Sequence, residues 1–339
     1  YDYNNRRLLT GESFNHPGYG GNYPIRWEID ANGKTAALTY PTDLRVTYAP
    51  NALGEPTQVS GYASNVTYHP NGAIAGYTLG NGVVHSQTQN ARGLPLQWRD
   101  AGIVQDQYGY DANGNVTAIT DQQEGGATSR SLGYDGLDRL TTANGIWGAG
   151  SFGYDVLDNL RSSTVGARSL SHVIDPATSR LTGLAGSQNL SFAYDANGNV
   201  TARGAQGFSF DIGNRMKAAT GKASYTYDGH GRRTMTQSSD GSWRLQTYSQ
   251  GGKLLMTRHS AQGYTSLVYL GERLIAEEAQ VGGRQYAHTD ALGSPVARTS
   301  GTAPAVVLTR TRYEPYGATV AGSTNPNGIG FTGHVNDPD

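Results

Sequence analysis

The sequence contains no cysteine, only three methionines and no long apolar run. Without cysteine the chain has no disulfide scaffold, thiolate zinc site, iron–sulfur cluster or cysteine nucleophile. No apolar segment approaches the roughly 18 residues that a membrane-spanning helix needs. The formal net charge is −1 and charged residues make up 16% of the chain. This balance argues against a nucleic-acid-binding protein and against disorder driven by high charge.

Tyrosine and glycine are abundant where these other residues are scarce. The 339 residues include 22 tyrosines against six phenylalanines, together with 47 glycines. Tyrosine suits half-buried strands, because its ring packs inward while its hydroxyl stays at the edge. The usual helix formers Met, Lys and Glu are infrequent. The composition therefore predicts an all-β protein.

A short motif recurs about every 20 residues along the chain: an aromatic or apolar residue, any residue, Tyr or Phe, then Asp. Before the Asp, apolar residues alternate with small polar ones, as in a half-buried strand. After it comes Asp195-Ala-Asn-Gly-Asn199, repeated identically from Asp111. Asn-Gly accepts positive φ and Asp can cap the turn, so each motif predicts one hairpin. The repeat motif positions are Tyr110, Asp111, Gly114, Tyr134, Asp135, Tyr154, Asp155, Tyr194, Asp195, Gly198, Phe210, Asp211, Tyr227, Asp228 and Gly231.

The period persists from about residue 25 to 320, so we expect stacked hairpins in one long, continuous sheet. The most apolar strands, at 265–270 and 305–308, are expected to be the best buried part. Neither end of the chain resembles a natural terminus, so both are expected to be cuts through a longer protein.

One candidate metal site is the series Asp111-x-Asn113-x-Asn115, which resembles the start of a calcium loop. The helical calcium-binding loop needs Gly at its sixth position and Glu at its twelfth. Here Gly is the fourth residue and Gln122 the twelfth. A hairpin turn is therefore the preferred interpretation, and cation binding at these turns stays open. The eight histidines are scattered singly, so they are predicted to be turn or surface residues.

Catalytic groups are not evident in the sequence. Glu277 and Glu278 are adjacent, so in a strand they face opposite sides and cannot act as a paired acid and base. The repeated aspartates are accounted for by their turns. The tyrosines could stack sugars, but a structural row across neighbouring strands is the preferred interpretation. We predict no catalytic residue, no cofactor and no metal ligand, and hence no enzyme.

The spacing of the Tyr-Asp motifs and of the segments around them resembles the RHS/YD-repeat family. Gly136-Leu-Asp-Arg-Leu140 and Gly229-His-Gly-Arg-Arg233 fit the repeat of that family. The resemblance is weakest over residues 11–60, and the C-terminal segments match the region that closes the family's core. Those segments are His288–Pro295, Tyr313–Gly317, Gly330–His334 and Asn336-Asp337. The resemblance therefore implies two regions, a YD-repeat array over residues 1–250 and a C-terminal core-associated region over 251–339 that ends before the family's self-cleavage segment.

The resemblance implies a segment of a hollow, spiralling β-shell that encloses and helps to deliver a C-terminal toxin domain of the same polypeptide. The implied partners are that toxin and further RHS repeats, in a protein that bacteria secrete or display and use in competition or as an insect toxin. The alternative is a cell-surface or wall-associated adhesin that binds glycans or proteins. The family's self-cleavage residues are expected beyond Asp339, so neither Asp337 nor Asp339 is assigned a catalytic role.

Overall fold

A computed structural model describes residues 1–16, 19, 21–320, 322–323 and 328–336 of the protein. These residues form 30 β-strands, and their only helical element is the three-residue 3₁₀ turn Phe331–Gly333. The all-β prediction is confirmed. Among the described residues, no helix has the length and apolar character required to cross a membrane.

The chain divides into two compact units. The first comprises Tyr1–Gln105, Tyr227–Thr311 and Ser323–Pro338, and the second contains Asp106–Thr226 and Arg312–Gly322. Both units have the same local plan, in which consecutive strands are joined by tight turns and pair antiparallel. Such local pairing follows from turns that are too short to let a strand cross its neighbour.

The first unit begins with a five-stranded sheet, here called the N-terminal sheet. Its strands are Asp2–Tyr3 (β1), Leu9–His16 (β2), Gly21–Ile29 (β3), Thr35–Thr39 (β4) and Arg45–Thr47 (β5), in that spatial order. Tyr23 of β3 packs in one apolar cluster with Met235, Leu245 and Met256. The N-terminal sheet thus covers one face of the later strands of its own unit.

The short ladder follows in the same unit. Its strands are Ala63–Tyr68 (β6), Ile74–Leu79 (β7), Val84–Gln89 (β8) and Pro95–Asp100 (β9), and each pairs antiparallel with the next. Trp98 of β9 is buried, and its indole N–H donates to the carbonyl oxygen of Thr289 at 2.6 Å. This contact ties the short ladder to a strand nearly 200 residues away in the sequence.

The repeat ladder makes up most of the second unit, and each of its strands pairs antiparallel with the next. Its strands are Val104–Tyr110 (β10), Val116–Asp121 (β11), Arg130–Tyr134 (β12), Leu140–Asn144 (β13), Gly150–Tyr154 (β14), Leu160–Val165 (β15), Arg168–Ile174 (β16), Leu181–Gly186 (β17), Leu190–Tyr194 (β18), Val200–Arg203 (β19), Gln206–Phe210 (β20), Met216–Ala219 (β21) and Ala223–Tyr227 (β22). Its best-defined apolar cluster centres on Ala143, Phe152 and Val165.

The long ladder completes the first unit. Its strands are Arg233–Ser238 (β23), Trp243–Tyr248 (β24), Leu254–His259 (β25), Gly263–Leu270 (β26), Arg273–Ala279 (β27), Gly283–Thr289 (β28), Pro295–Ser300 (β29) and Val307–Arg310 (β30). Each again pairs antiparallel with the next. Leu254, Leu267 and Tyr269 form its apolar core together with Ile329.

The burial prediction is right for one apolar segment and wrong for the other. Leu267, Val268 and Leu270 are at most 2% exposed. By contrast, Val306 is 58% exposed and Leu308 is 47% exposed. The predicted strand at 305–308 is formed only from Val307 onward, as part of β30. This apolar segment leaves its side chains in solvent, because backbone pairing satisfies N–H and C=O groups without covering either face of a strand.

Candidate functional site: the Tyr-Asp turns and a buried histidine pair

Each aspartate of the repeat caps the turn that follows its own strand. The Asp195 Oδ1 accepts hydrogen bonds from the backbone N–H groups of Asn197 at 3.0 Å and Asn199 at 2.9 Å. Its Oδ2 accepts from the side-chain amide of Asn199 at 2.8 Å. The amide of Asn199 thereby lowers the pKa of Asp195, because this bond stabilises the charged carboxylate.

The fifth turn residue can also be arginine. Asp135 accepts from the backbone N–H of Arg139 at 3.1 Å and from its Nε at 2.8 Å. The guanidinium therefore lowers the pKa of Asp135. The same pair of bonds joins Asp211 to Arg215 and Asp228 to Arg232. Asn and Arg can each donate to the aspartate from the backbone N–H and from the side chain. This double hydrogen bond explains why these two residue types occupy the fifth turn position.

The fourth turn residue always has positive φ in these repeats. Gly114 and Gly198 have φ of 98° and 91°, as predicted from the sequence, and Gly231 has 79°. In other repeats Asp138, Asp158 and Asn214 occupy this position with φ of 60°, 64° and 58°. Asn and Asp tolerate the left-handed region better than other residues with a Cβ.

These non-glycine residues connect successive turns. Asp138 accepts a hydrogen bond from the Asn115 side chain of the preceding turn at 2.7 Å. Asp158 accepts from Arg139 at 2.7 Å, and Asn214 accepts from Asn199 at 2.9 Å. In each case the fifth residue of one turn donates to the fourth residue of a later turn. The turns therefore form a hydrogen-bonded edge along the repeat ladder.

The tyrosine before each aspartate is the last residue of its strand. The pairing register shifts between Gly109 and Tyr110, and likewise just before Tyr134, Tyr154, Tyr194 and Phe210. Such a bulge increases local twist and re-aims the side chain. The Tyr134 hydroxyl donates to the carbonyl of Val116 at 3.0 Å, and that of Tyr194 to Leu181 at 2.7 Å. Each of these hydroxyls thus binds a strand of the preceding hairpin.

The arginines bind forward, toward the next hairpin. The guanidinium of Arg139 lies 4.8 Å from the centre of the Tyr154 ring, and that of Arg180 lies 5.3 Å from the Tyr194 ring. Such cation–π contacts stabilise by about 0.5–1 kcal/mol at exposed sites. A repeat that has both the tyrosine hydroxyl bond and the arginine contact, such as the one with Tyr134 and Arg139, is therefore joined to the hairpins on both sides.

All fifteen predicted motif positions lie at these strand ends and turns, in which the aspartate oxygens already accept hydrogen bonds. Within the described ranges, no group of three or more His, Cys, Asp or Glu residues is placed to hold a metal ion. Glu277 binds Arg298, whereas Glu278 binds Arg284. Asp337 and Asp339 lie outside the described residues. The arrangement is suited to holding hairpins together. That these residues have no catalytic or metal-binding role stays a prediction.

Two histidines contradict the prediction that histidines are turn or surface residues. His85 of β8 is 1% exposed and His288 of β28 is 0% exposed. Their Nδ1 atoms lie 2.7 Å and 2.9 Å from the two carboxylate oxygens of Asp100 in β9. The sequence signal for His85 was its position in the inward phase of β8, between the buried Val83 and Gln87. No local pattern could show that His288 shares its carboxylate.

The buried pair is completed by polar partners from other strands. The Nε2 of His85 lies 2.8 Å from the guanidinium of Arg273, and the Nε2 of His288 lies 2.9 Å from the Thr299 hydroxyl. Burial lowers the pKa of His85, against the opposing effect of Asp100. Burial alone would raise the pKa of Asp100, but the bonds from both imidazoles hold it well below its ordinary value.

Comparison with known proteins agrees with this architecture. The family profile of the teneurin YD-shell matches residues 62–339. The Photorhabdus luminescens Tc holotoxin pore, with a mutation in TccC3, superposes with a TM-score of 0.77 at 16% identity, covering 97% of this chain and 20% of that chain. TcdB2-TccC3 gives 0.69 at 17% identity, with 93% and 20% covered. TcdB2-TccC3-Cdc42 gives 0.67 at 17% identity, with 93% and 19% covered.

The comparison with curated proteins gave no match. The chain spans about a fifth of the length of these solved chains. At such identities the structural likeness shows the fold alone. Stacked hairpins with Tyr-Asp turns define a YD-repeat protein. Because the profile covers most of the sequence, this chain belongs to the teneurin YD-shell family.

Proposed function

We propose that this chain is a segment of the wall of a shell that encloses a C-terminal toxin domain of the same polypeptide. The wall itself has no catalytic function, requires no cofactor, and acts by containment until the toxin is delivered. The parent protein is secreted or displayed by a bacterium. The division into a repeat array at 1–250 and a C-terminal region at 251–339 remains part of this proposal.

The hydrogen-bonded edge of turns carries the proposal. Asn115, Arg139 and Asn199 each donate to a later turn, while tyrosine hydroxyls bind the hairpin before. In these contacts the polar groups of the repeat bind neighbouring hairpins. A continuous wall requires such bonds between each hairpin and the next. A binding surface would instead present unpaired polar groups to a ligand.

The comparisons support the same function. The family is that of the teneurin YD-shell, and the superposed structures are Tc toxin assemblies. One of them is TcdB2-TccC3 without its hypervariable C-terminal region, and it gives a TM-score of 0.68. The hypervariable C-terminal region of TcdB2-TccC3 is consistent with a repeat fold that carries a C-terminal cargo domain.

Expression of the parent gene in a bacterial host tests containment. Host growth is compared for the intact parent, for a parent that lacks residues 62–339, and for the same deletion with an inactivated toxin domain. We expect growth with the intact parent, arrest with the deletion, and recovery when the toxin is inactivated. Protease accessibility of the C-terminal domain in the purified parent provides a second measurement, and the intact shell should protect it.

A Ser191→Thr parent is the control for a change that leaves the wall intact, because Ser191 is exposed on a strand; host growth should match that with the unaltered parent. If the deleted parent is no more toxic than the intact one, and the C-terminal domain is equally accessible to protease in both, containment is refuted. Binding of the intact parent to glycans or to target cells would then favour the adhesin function.

A further inference from the structure

The buried histidine pair joins two ladders of the first unit. His85 and Asp100 belong to the short ladder, whereas Arg273 and His288 belong to the long ladder. Asp100 and His288 are 188 residues apart in the chain. The guanidinium of Arg273 also lies 4.1 Å from the centre of the Trp98 ring. Polar and cation–π contacts therefore converge where the two ladders meet.

Hydrogen-bond inventory determines the protonation state of His85. A guanidinium only donates, so the Nε2 of His85 must accept from Arg273. Its proton then lies on Nδ1, which donates to the Asp100 carboxylate. His85 is consequently neutral in this arrangement. A second proton on Nε2 would place an N–H against the N–H of Arg273, with two positive charges in contact at 2.8 Å.

His288 has no such conflict. Its Nδ1 donates to the other oxygen of Asp100, and its Nε2 faces the Thr299 hydroxyl. That hydroxyl also receives a hydrogen bond from the Asn81 side chain at 2.9 Å. A hydroxyl can act as donor or acceptor, whereas a guanidinium can only donate. Of the two imidazoles, only His85 therefore faces a partner that requires its Nε2 to be an acceptor.

The surroundings of the pair permit such a break. The charged and titratable groups that face the imidazoles are Asp100 from β9, Arg273 from β27, Tyr77 from β7 and the other imidazole. Arg273 is only half-buried. It borders an open cleft of about 910 Å³ that Glu272 and Asp290 also line. The displaced guanidinium therefore has access to the solvent of this cleft.

We propose that the His85–Arg273 contact is an acid-labile latch between the short and the long ladder. Protonation of His85 displaces Arg273 from the imidazole and from Trp98, and it loosens the junction of the two ladders. The latch is a property of this chain alone. Its consequence, a wall that loosens when the surroundings become acidic, rests on the proposed containment function.

The pH dependence of opening follows from the linkage between opening and proton uptake. In the closed state His85 resists protonation, whereas in the opened state it has the ordinary histidine pKa of about 6.5. Opening therefore takes up one proton below that pH. The opening equilibrium should rise about fivefold between pH 6.5 and pH 5.5, and it should approach a tenfold rise per pH unit below that. It should be flat above pH 7, where His85 is neutral in both states.

Hydrogen exchange of the purified 339-residue chain tests the latch, with rates corrected for the pH dependence of intrinsic exchange. Peptides over 83–89, 95–100 and 270–276 should exchange about fivefold faster at pH 5.5 than at pH 6.5. Peptides over 190–203 in the repeat ladder should not show this step. This measurement needs no toxin, so its outcome is independent of the containment experiment.

Three variants make the assignment specific. His85→Gln keeps an acceptor for Arg273 but cannot titrate, so the acid step should disappear. His288→Gln should retain the step. Arg273→Met removes the latch while keeping an apolar stem on Trp98, so exchange should be fast at both pH values. No step in the wild type, a step that survives in His85→Gln or Arg273→Met, or one lost in His288→Gln would each overturn the proposal.

Discussion

Substitution of Gly198 probes the backbone requirement of the Tyr-Asp turn. Gly198 has φ of 91°, where a side chain with a Cβ costs about 1–2 kcal/mol. A new Cβ would lie 3.2 Å from the guanidinium of Arg180. That arginine must then give way, although it also contacts Tyr194. We expect Gly198→Val to destabilise by about 2 kcal/mol, because β-branching adds to the backbone strain.

Graded substitutions separate the turn effect from general damage. Gly198→Ala should destabilise by about 1 kcal/mol. Gly198→Asn should destabilise less than Gly198→Ala, because Asp138 and Asn214 occupy the equivalent position in other turns with φ near 60°. Gly231→Val isolates the backbone term, since nothing lies within 4 Å of a Cβ there. Ser191→Thr, on an exposed strand position, should be nearly silent.

Urea unfolding followed by circular dichroism measures this series, with the m-value checked for each variant. Hydrogen exchange of peptides over 190–203 shows whether the loss is local to the substituted hairpin. Equal shifts of the urea midpoint in Gly198→Val and Ser191→Thr would contradict the turn assignment. A midpoint that falls as far in Gly198→Asn as in Gly198→Val would contradict it as well.

Three more predictions concern other parts of the repeat and the core. Tyr194→Phe removes the bond to the Leu181 carbonyl and should destabilise by about 1 kcal/mol in urea unfolding; an unchanged midpoint would contradict a structural role for the hydroxyl. Asp195 has a lowered pKa, so its carboxylate stabilises above the unfolded value of about 3.9 and loses that effect as pH falls through the folded value. The difference in midpoint between wild type and Asp195→Asn should therefore be constant near neutral pH and narrow below about pH 4. Leu267→Ala should cost about 3 kcal/mol because Leu267 is 2% exposed, whereas Leu308→Ala should cost under about 0.5 kcal/mol; equal losses in thermal unfolding would refute the burial assignment.

The parts of the structure that depend on local chemistry could be predicted from the sequence. The series from Asp195 to Asn199 contains its own donors, acceptors and positive-φ residue, so the turn forms without help from distant residues. The strand before it shows its buried phase by alternation. Because the same series recurs, the strand and turn predicted for one repeat can be extended to much of the chain.

Features that depend on residues far apart could not be predicted in this way. His85 and His288 meet at Asp100 across 188 residues, and no spacing rule links them. The apolar segment at 305–308 was predicted to be buried, yet burial depends on whether another layer covers a strand. The bulge before Tyr194 likewise arises from how two strands pair, and neither strand shows it alone.

The hydrogen bond from the fifth residue of one turn to the fourth residue of a later turn defines which repeats can be neighbours. A turn whose fifth residue is Asn or Arg fits beside one whose fourth residue is Asp or Asn, as with Arg139 and Asp158. Stability in such an array comes from each hairpin and its immediate neighbours. A hairpin gained or lost from the array therefore requires a matched donor and acceptor among the turns at the new junction, and the remaining hairpins keep their own turns unchanged.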